Sequence, residues 1–122
     1  MTNIFEDQKK FMVACDQTVD VTNGNQLALY VELIAEECAE LSAALRAEDK
    51  IETLDALVDI LVVTTGALHS LGVKPEDAWN EVMKTNFAKI DPTTGKVKKR
   101  ADGKVLKPDG WTPPDLKQHI LS

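Results

Sequence analysis

The chain has 122 residues, and its 14 Lys and Arg against 20 Asp and Glu give a formal net charge of −6 at pH 7. This length predicts one domain over residues 1–122 with one modest core, and 43% hydrophobic with 28% charged residues is typical of a globular protein. The negative charge argues against binding to nucleic acid polymers or membranes, and the absence of a long apolar run and of a secretory signal predicts a cytoplasmic protein.

Hydrophobic periodicity and capping residues predict four helices. The first spans residues 4–17 with Asn3 as its N-cap, and the second spans residues 26–47, where apolar positions alternate in steps of four and three along one stripe. A connection of two or three residues then makes an antiparallel helical hairpin with the third helix.

The third helix begins after Asp49, which with Glu52 forms a capping pair, and it ends at Gly72. It is apolar or small on nearly every side, so we expect it to be central and buried. The fourth helix spans residues 75–88, with Pro75 at a favoured first position.

Two cysteines, Cys15 and Cys38, lie in the predicted helices without any zinc-binding pattern around them. Free cysteines are commonly buried, so both are expected to act as small core residues.

The composition changes after residue 91 to a basic segment containing Pro and Gly. We expect residues 4–88 to form the helical core and residues 91–122 to form an arm, either a short hairpin at Asp102-Gly103 or an extended segment. Trp111 either stacks on a base or packs the arm onto the core, and packing is favoured because a large aromatic side chain buries well wherever its N–H finds a partner. The predicted fold is an all-α four-helix bundle protomer that assembles as a homodimer or homotetramer.

Five carboxylates stand out on the second and third helices. Their positions place three on one arc of the second helix and two on one side of the third: Glu36, Glu37, Glu40, Asp55 and Asp59. A solvated acidic face is the simplest interpretation, but such a face usually carries Lys or Arg three or four residues away, and here none does. Asp59 also lies in an apolar stretch, where an ionised carboxylate must be neutralised, be paired or bind a cation.

Clustered carboxylates without His or Cys favour a hard divalent ion, Mg²⁺ or alternatively Mn²⁺. Mg²⁺ usually links a few carboxylates to substrate phosphates, so an acidic site can bind a polyphosphate. The chain has no phosphate-binding glycine loop and no Ser/His or Cys/His pairing, so the nucleophile is expected to be water. A Lys from the arm is the other candidate for the positive charge.

The segment EECAE (36–40) followed by DALVD (55–59) resembles the MazG and phosphoribosyl-ATP pyrophosphatase-like superfamily of all-α nucleoside triphosphate pyrophosphohydrolases. Three further segments resemble its small members: FMVACDQ (11–17), KTNFAK (84–89) and DGKVLKPDGWTPPDL (102–116). One feature departs from the pattern, because many members carry ExxD on the second metal-binding helix, whereas Ala56 stands three residues before Asp59. Glu52 and Asp55 match ExxD literally.

The resemblance implies Mg²⁺-dependent hydrolysis of a nucleoside triphosphate to a monophosphate and pyrophosphate, with clearance of non-canonical nucleotides as the expected role. By this resemblance the metal set is Glu36, Glu37, Glu40 and Asp59, with Asp55 as an added ligand or a partner of one. Glu37 and Glu40 are the predicted catalytic residues. Glu37 is the favoured base because it lies nearest the apolar stripe, where burial raises the pKa of a carboxyl.

Three residues near the end of the fourth helix, Lys84, Asn86 and Lys89, are predicted to bind substrate phosphates. Alternatively they only complement the helix dipole. Two other functions remain open: phosphoribosyl-ATP hydrolysis in histidine biosynthesis, and a non-catalytic acidic helical interaction module.

Overall fold

A computed structural model describes residues 3–121, and this part of the chain is all-helical. It contains four α-helices, α1 (Ile4–Ala14), α2 (Gly24–Arg46), α3 (Lys50–Ser70) and α4 (Pro75–Phe87), and a short 3₁₀ turn (Lys117–His119). Within these residues there is no strand, only isolated antiparallel bridges. The predicted all-α class and the number of helices are confirmed.

The chain divides into two compact units. The first contains α1, α2 and α3, and the second runs over Glu76–His119 with nearly all of α4. The single domain stays a prediction. No helix in the described part of the chain combines the length and hydropathy needed to cross a membrane.

The predicted capping residues define the helix ends. The side chain of Asn3 accepts from the backbone N–H of Glu6 at 2.9 Å, and Asp49 accepts from that of Glu52 at 3.0 Å. Such a cap satisfies one of the amides that have no partner within the helix. Gly72 follows the end of α3 with φ of 81°, a left-handed conformation that glycine adopts without strain.

The core of the first unit lies between α1, α2 and α3. Its buried cluster is Met12, Tyr30 and Val63. The Tyr30 ring occupies the space where a side chain on Gly66 would be, since a Cβ there would lie 2.2 Å from Tyr30 Cε1. A residue near the start of α2 therefore faces one near the end of α3, and the two helices are antiparallel, as the sequence predicts.

His69 ties this core to the rest of the first unit. The side chain is 2% exposed, with Nδ1 2.7 Å from Asp20 Oδ1 and Nε2 3.0 Å from the carbonyl oxygen of Phe5. Because a carbonyl oxygen only accepts, Nε2 is the donor in that bond. Asp20 has φ of 61°, so this contact also holds a strained turn between α1 and α2.

Two burial predictions are wrong. Helix α3 is not buried on all sides, because five large aliphatic residues on it are between 39% and 63% exposed: Leu54, Leu57, Val58, Leu61 and Val62. The buried residues of α3 lie mainly in its C-terminal half. Because the helices that pack on α3 within this small unit are α1 and α2, part of its apolar surface stays uncovered. Cys15 and Cys38 are exposed and not buried: Cys15 is the C-cap residue at the end of α1, and neither belongs to the buried cluster.

In the second unit, the segment after α4 folds back on itself. Lys99 and Val105 form an antiparallel bridge, and the turn between them carries an ion pair of Arg100 with Asp102. Trp111 packs against the end of α4, where its indole N–H donates to the carbonyl oxygen of Thr85 at 2.7 Å.

Candidate functional site

Four carboxylates of α2 and α3 lie close enough to affect one another's ionisation. The Glu37 carboxyl forms a hydrogen bond with the side chain of Glu40 and interacts electrostatically with Asp55 and Asp59. The arrangement follows from the antiparallel pairing and short connection of the two helices, which bring the late turns of α2 beside the early turns of α3. Glu36, the fifth predicted acid, is exposed, and it is not among the residues that act on the Glu37 carboxyl.

Glu37 is the most perturbed member of the set. Burial, followed by the hydrogen bond and charge of Glu40, raises the pKa of its carboxyl from 4.5 to about 7. One carboxyl oxygen, Oε2, is buried and has no hydrogen-bond partner within the described chain. A carboxyl with this pKa exchanges a proton near neutral pH, which suits a general base.

Asp59 is perturbed in the same direction. Burial raises the pKa of its carboxyl, and the charge and hydrogen bond of Asp55, one helical turn earlier, raise it further. Glu40 adds a third repulsive contribution from the neighbouring helix. The neighbouring carboxylates therefore make ionisation of Glu37 and Asp59 less favourable.

No basic side chain offsets this repulsion. Within residues 3–121, none of the four carboxylates forms a salt bridge with Lys, Arg or His. A group of four acids without a cation is an unfavourable arrangement that a bound metal ion would stabilise.

A groove of about 520 Å³ lies beside the cluster, between the late turns of α2 and the early turns of α3. Acidic residues line it together with four alanines: Glu40, Asp49, Glu52, Asp55, Ala43, Ala44, Ala47 and Ala56. Ala43 and Ala47 are exposed, and their small side chains leave the groove open. The volume is in the range of small-molecule sites.

Among the described residues, no three His, Cys, Asp or Glu side chains converge closely enough to form a ready-made metal site. The chemistry of the group nevertheless fits a hard divalent ion, because its donors are carboxylate oxygens and one buried oxygen of Glu37 has no partner. The predicted metal ligands remain a prediction.

The predicted phosphate-binding residues belong to the second unit. Lys89 Nζ donates to Asn86 Oδ1 at 3.1 Å, so these two side chains are held together at the end of α4. Lys84 is exposed and lines a separate cavity with Thr85 and Trp111. Their role in substrate binding remains a prediction.

Sequence reasoning missed the pairing of His69 with Asp20. The two residues are 49 positions apart, so no local pattern connects them. Asp20 has a positive φ, and Asp is one of the residue types that tolerate this conformation. It also missed the open groove, for which the closely spaced alanines of α2 were the available signal.

Comparison with known proteins identifies the family of the chain. No curated protein matches the chain significantly. The model of the phosphoribosyl-ATP pyrophosphohydrolase family matches residues 15–86, which include all five predicted acidic site residues. This match covers more than half of the chain, which therefore belongs to that family of hydrolases, within the MazG-like all-α nucleoside triphosphate pyrophosphatase superfamily.

Proposed function

We propose that the protein hydrolyses a nucleoside triphosphate to the nucleoside monophosphate and pyrophosphate. The observation that carries this proposal is the cluster of Glu37, Glu40, Asp55 and Asp59 beside an open groove, where no basic side chain of residues 3–121 forms a salt bridge with it. Family membership supports a pyrophosphohydrolase over a non-catalytic acidic module.

The cluster would hold Mg²⁺, with Mn²⁺ as the alternative. Glu36, Glu37, Glu40 and Asp59 are the proposed ligands, and Asp55 is an added ligand or a partner of one. When bound, the ion supplies positive charge that draws phosphate oxygens to an acidic site and polarises the phosphorus centre. Glu36 is exposed and is not among the neighbours that act on Glu37 or Asp59, so its place among the ligands rests on the family resemblance alone.

Glu37 is the proposed general base. In the metal-free protein, partial burial and the neighbouring Glu40 raise the pKa of its carboxyl to about 7, so it binds a proton more readily than an ordinary carboxylate. It would take a proton from the attacking water while Glu40, its hydrogen-bond partner, holds its orientation. The bond that breaks is the phosphoanhydride between the α and β phosphorus atoms. Its electron pair stays with pyrophosphate if water attacks the α phosphorus, and with the monophosphate if water attacks the β phosphorus.

Lys84, Asn86 and Lys89 are proposed to bind the phosphate oxygens of the substrate. The hydrogen bond between Lys89 and Asn86 pre-orients one ammonium group and one amide. Ammonium and amide N–H groups donate to phosphate oxygens and stabilise the charge that develops during hydrolysis.

Phosphoribosyl-ATP is the second candidate substrate, and the description of the matching family favours it. It carries the same triphosphate as ATP, so the reaction at phosphorus would be the same. The two candidates differ in the group that must be recognised beyond the triphosphate.

The test is a panel of canonical and modified nucleoside triphosphates together with phosphoribosyl-ATP, each incubated with the protein and Mg²⁺. We expect equal amounts of monophosphate and pyrophosphate from the preferred substrate. Hydrolysis in ¹⁸O-water then shows whether attack falls on the α or the β phosphorus, because the label enters the product that carries the attacked atom.

Release of inorganic phosphate in place of pyrophosphate would contradict the proposal. So would the absence of turnover across the panel with both Mg²⁺ and Mn²⁺. Co-purification of a basic partner together with such an absence would favour the interaction module.

We also propose that the exposed aliphatic face of α3 is covered by a second copy of the chain. The five aliphatic residues of α3 named above follow one another at helical spacing, and monomers rarely expose continuous apolar patches of this kind. A two-fold contact would bury the same aliphatic surface from both copies. Sedimentation of the wild type should show a dimer or tetramer.

Leu57→Glu should shift this equilibrium towards monomer, because it places a charge in the contact. Val13→Glu, at an exposed position on α1, is the matched control and should leave the mass unchanged. A monomeric wild type at micromolar concentration would contradict the proposal.

A further inference from the structure

A second cavity lies wholly within the second unit, where the chain leaves α4 and folds back. It encloses about 400 Å³ and is lined by Lys89, Lys98, Lys107 and several apolar residues. Backbone pairing builds it, since the N–H of Leu106 donates to the carbonyl oxygen of Lys98 at 2.8 Å and so brings Lys98 beside Lys107. All of its lining residues lie beyond residues 15–86, the part of the chain that the family model covers.

The three lysines carry positive charge that the chain does not neutralise. In the described structure none of them forms a salt bridge, even though Asp91 and Asp109 line the same cavity. The Asp91 carboxylate instead accepts the backbone N–H of Thr93 at 2.8 Å. Unpaired ammonium groups around a concave surface attract an anion.

Trp111 holds two of these lysines through cation–π contacts. Its ring centroid lies 5.2 Å from Lys89 Nζ and 4.9 Å from Lys107 Nζ. The negative face of an indole attracts a cation, so these contacts hold both ammonium groups near the ring without neutralising their charge. Both groups can therefore still pair with an anion.

The surrounding sequence concentrates this charge. Eight of the 14 basic residues lie between Lys84 and Lys107, where only two acidic residues occur. This stretch is strongly positive in a chain whose net charge is −6. Because the protein as a whole is negatively charged, it does not attract polyanions in general. The basic segment around the cavity instead indicates local binding of an anion.

We propose that this cavity binds the phosphate of a nucleotide, with Lys98 and Lys107 as binding residues in addition to Lys89. Apolar residues, Ile90, Leu106 and Pro108, supply a wall for the base, and the volume suits a ligand of nucleotide size. The inference that the bound phosphate belongs to a nucleotide rests on the proposed function. The inference that the cavity binds a phosphate does not depend on catalysis.

The test is calorimetric titration of the full-length protein with AMP in the presence of EDTA. Without a divalent ion the acidic cluster repels phosphate, so the binding that remains reports on basic residues, and the Lys98 and Lys107 variants assign it to this cavity. We expect saturable binding of AMP, weaker binding of inorganic phosphate, and no binding of adenosine. Lys98→Gln and Lys107→Gln should each weaken AMP binding at least tenfold, as expected for the loss of a charged hydrogen bond.

Lys96→Gln is the matched control, since it removes the same charge from the same segment but does not line the cavity. It should change the affinity less than twofold, and thermal unfolding should show that all three variants fold. Equal weakening by the control, adenosine binding as tight as that of AMP, or absence of AMP binding at millimolar concentration would each overturn the proposal. If AMP binds through these lysines while the nucleotide panel gives no turnover, only the proposed hydrolysis fails.

Discussion

The two halves of α3 differ in how their polar side chains are satisfied. In the C-terminal half, Thr65 and Ser70 donate to backbone carbonyls of the same helix, and both ring nitrogens of His69 have partners. In the N-terminal half, Asp55 and Asp59 interact with other carboxylates and with no cation in the described chain. One helix therefore carries a closed, hydrogen-bonded end and an open, electrostatically unfavourable end.

This difference separates the part of the helix that stabilises the fold from the part available for function. Close contact of Tyr30 with Gly66 fixes α3 against α2 at one end. Because a helix is rigid over a few turns, that contact also sets the distance between the helices at the acidic end. The repulsion among the carboxylates is then sustained by packing elsewhere in the unit.

The largest expected effect is on activity. Glu40→Gln keeps the size of the side chain but removes a charge from the cluster, so turnover of the preferred nucleotide should fall about 100-fold or more. Thermal unfolding should show a folded protein. The matched control is Glu32→Gln, at an exposed position on the same helix, and similar rates in both variants would contradict the assignment of the site.

The packed end can be broken by a single methyl group. Gly66→Ala places a Cβ 2.2 Å from the Tyr30 ring, so the free energy of unfolding should fall by about 3 kcal/mol, as measured by urea denaturation. Gly24→Ala is the control, because no atom lies within 4 Å of its added Cβ, and it should be neutral or slightly stabilising. A neutral Gly66→Ala variant would show that the two helices are not held by this contact.

The open end should make the metal-free protein sensitive to pH. The pKa of Glu37 rises from 4.5 to about 7 on folding, so the folded state binds more protons than the unfolded state between these values. The free energy of unfolding in EDTA should therefore fall as the pH rises from about 4.5 to about 7. Glu37→Gln should flatten this slope, and Glu32→Gln should leave it unchanged. A wild-type slope of the opposite sign in this window would contradict the structure of the cluster.

The smallest effect is expected from Asp59→Asn. Removing one of two like charges a helical turn apart should raise the free energy of unfolding of the metal-free protein by about 0.5 kcal/mol. The same variant should lose part of the stabilisation that Mg²⁺ gives to the wild type. A lower melting temperature in EDTA would show that the carboxylate of Asp59 has a favourable partner after all.

Local patterns predicted much of this molecule. The N-caps at Asn3 and Asp49 appear as expected, and the short connection after α2 correctly implied that its acids lie beside those of α3. The exposure of the α3 aliphatic face was not predictable, since an apolar helix looks the same whether its own chain covers it or not. The Lys98 and Lys107 cavity was missed because it depends on how the arm folds back.

The sequence by itself determined the helices, their caps and the concentration of acids on one pair of helices, because those features depend on residues within about four positions of each other. Only the tertiary structure decided that Asp20 pairs with His69, that Tyr30 lies against Gly66, and that the acids remain without a basic partner. Such contacts join residues dozens of positions apart, and they form where the packing of whole helices brings the side chains together.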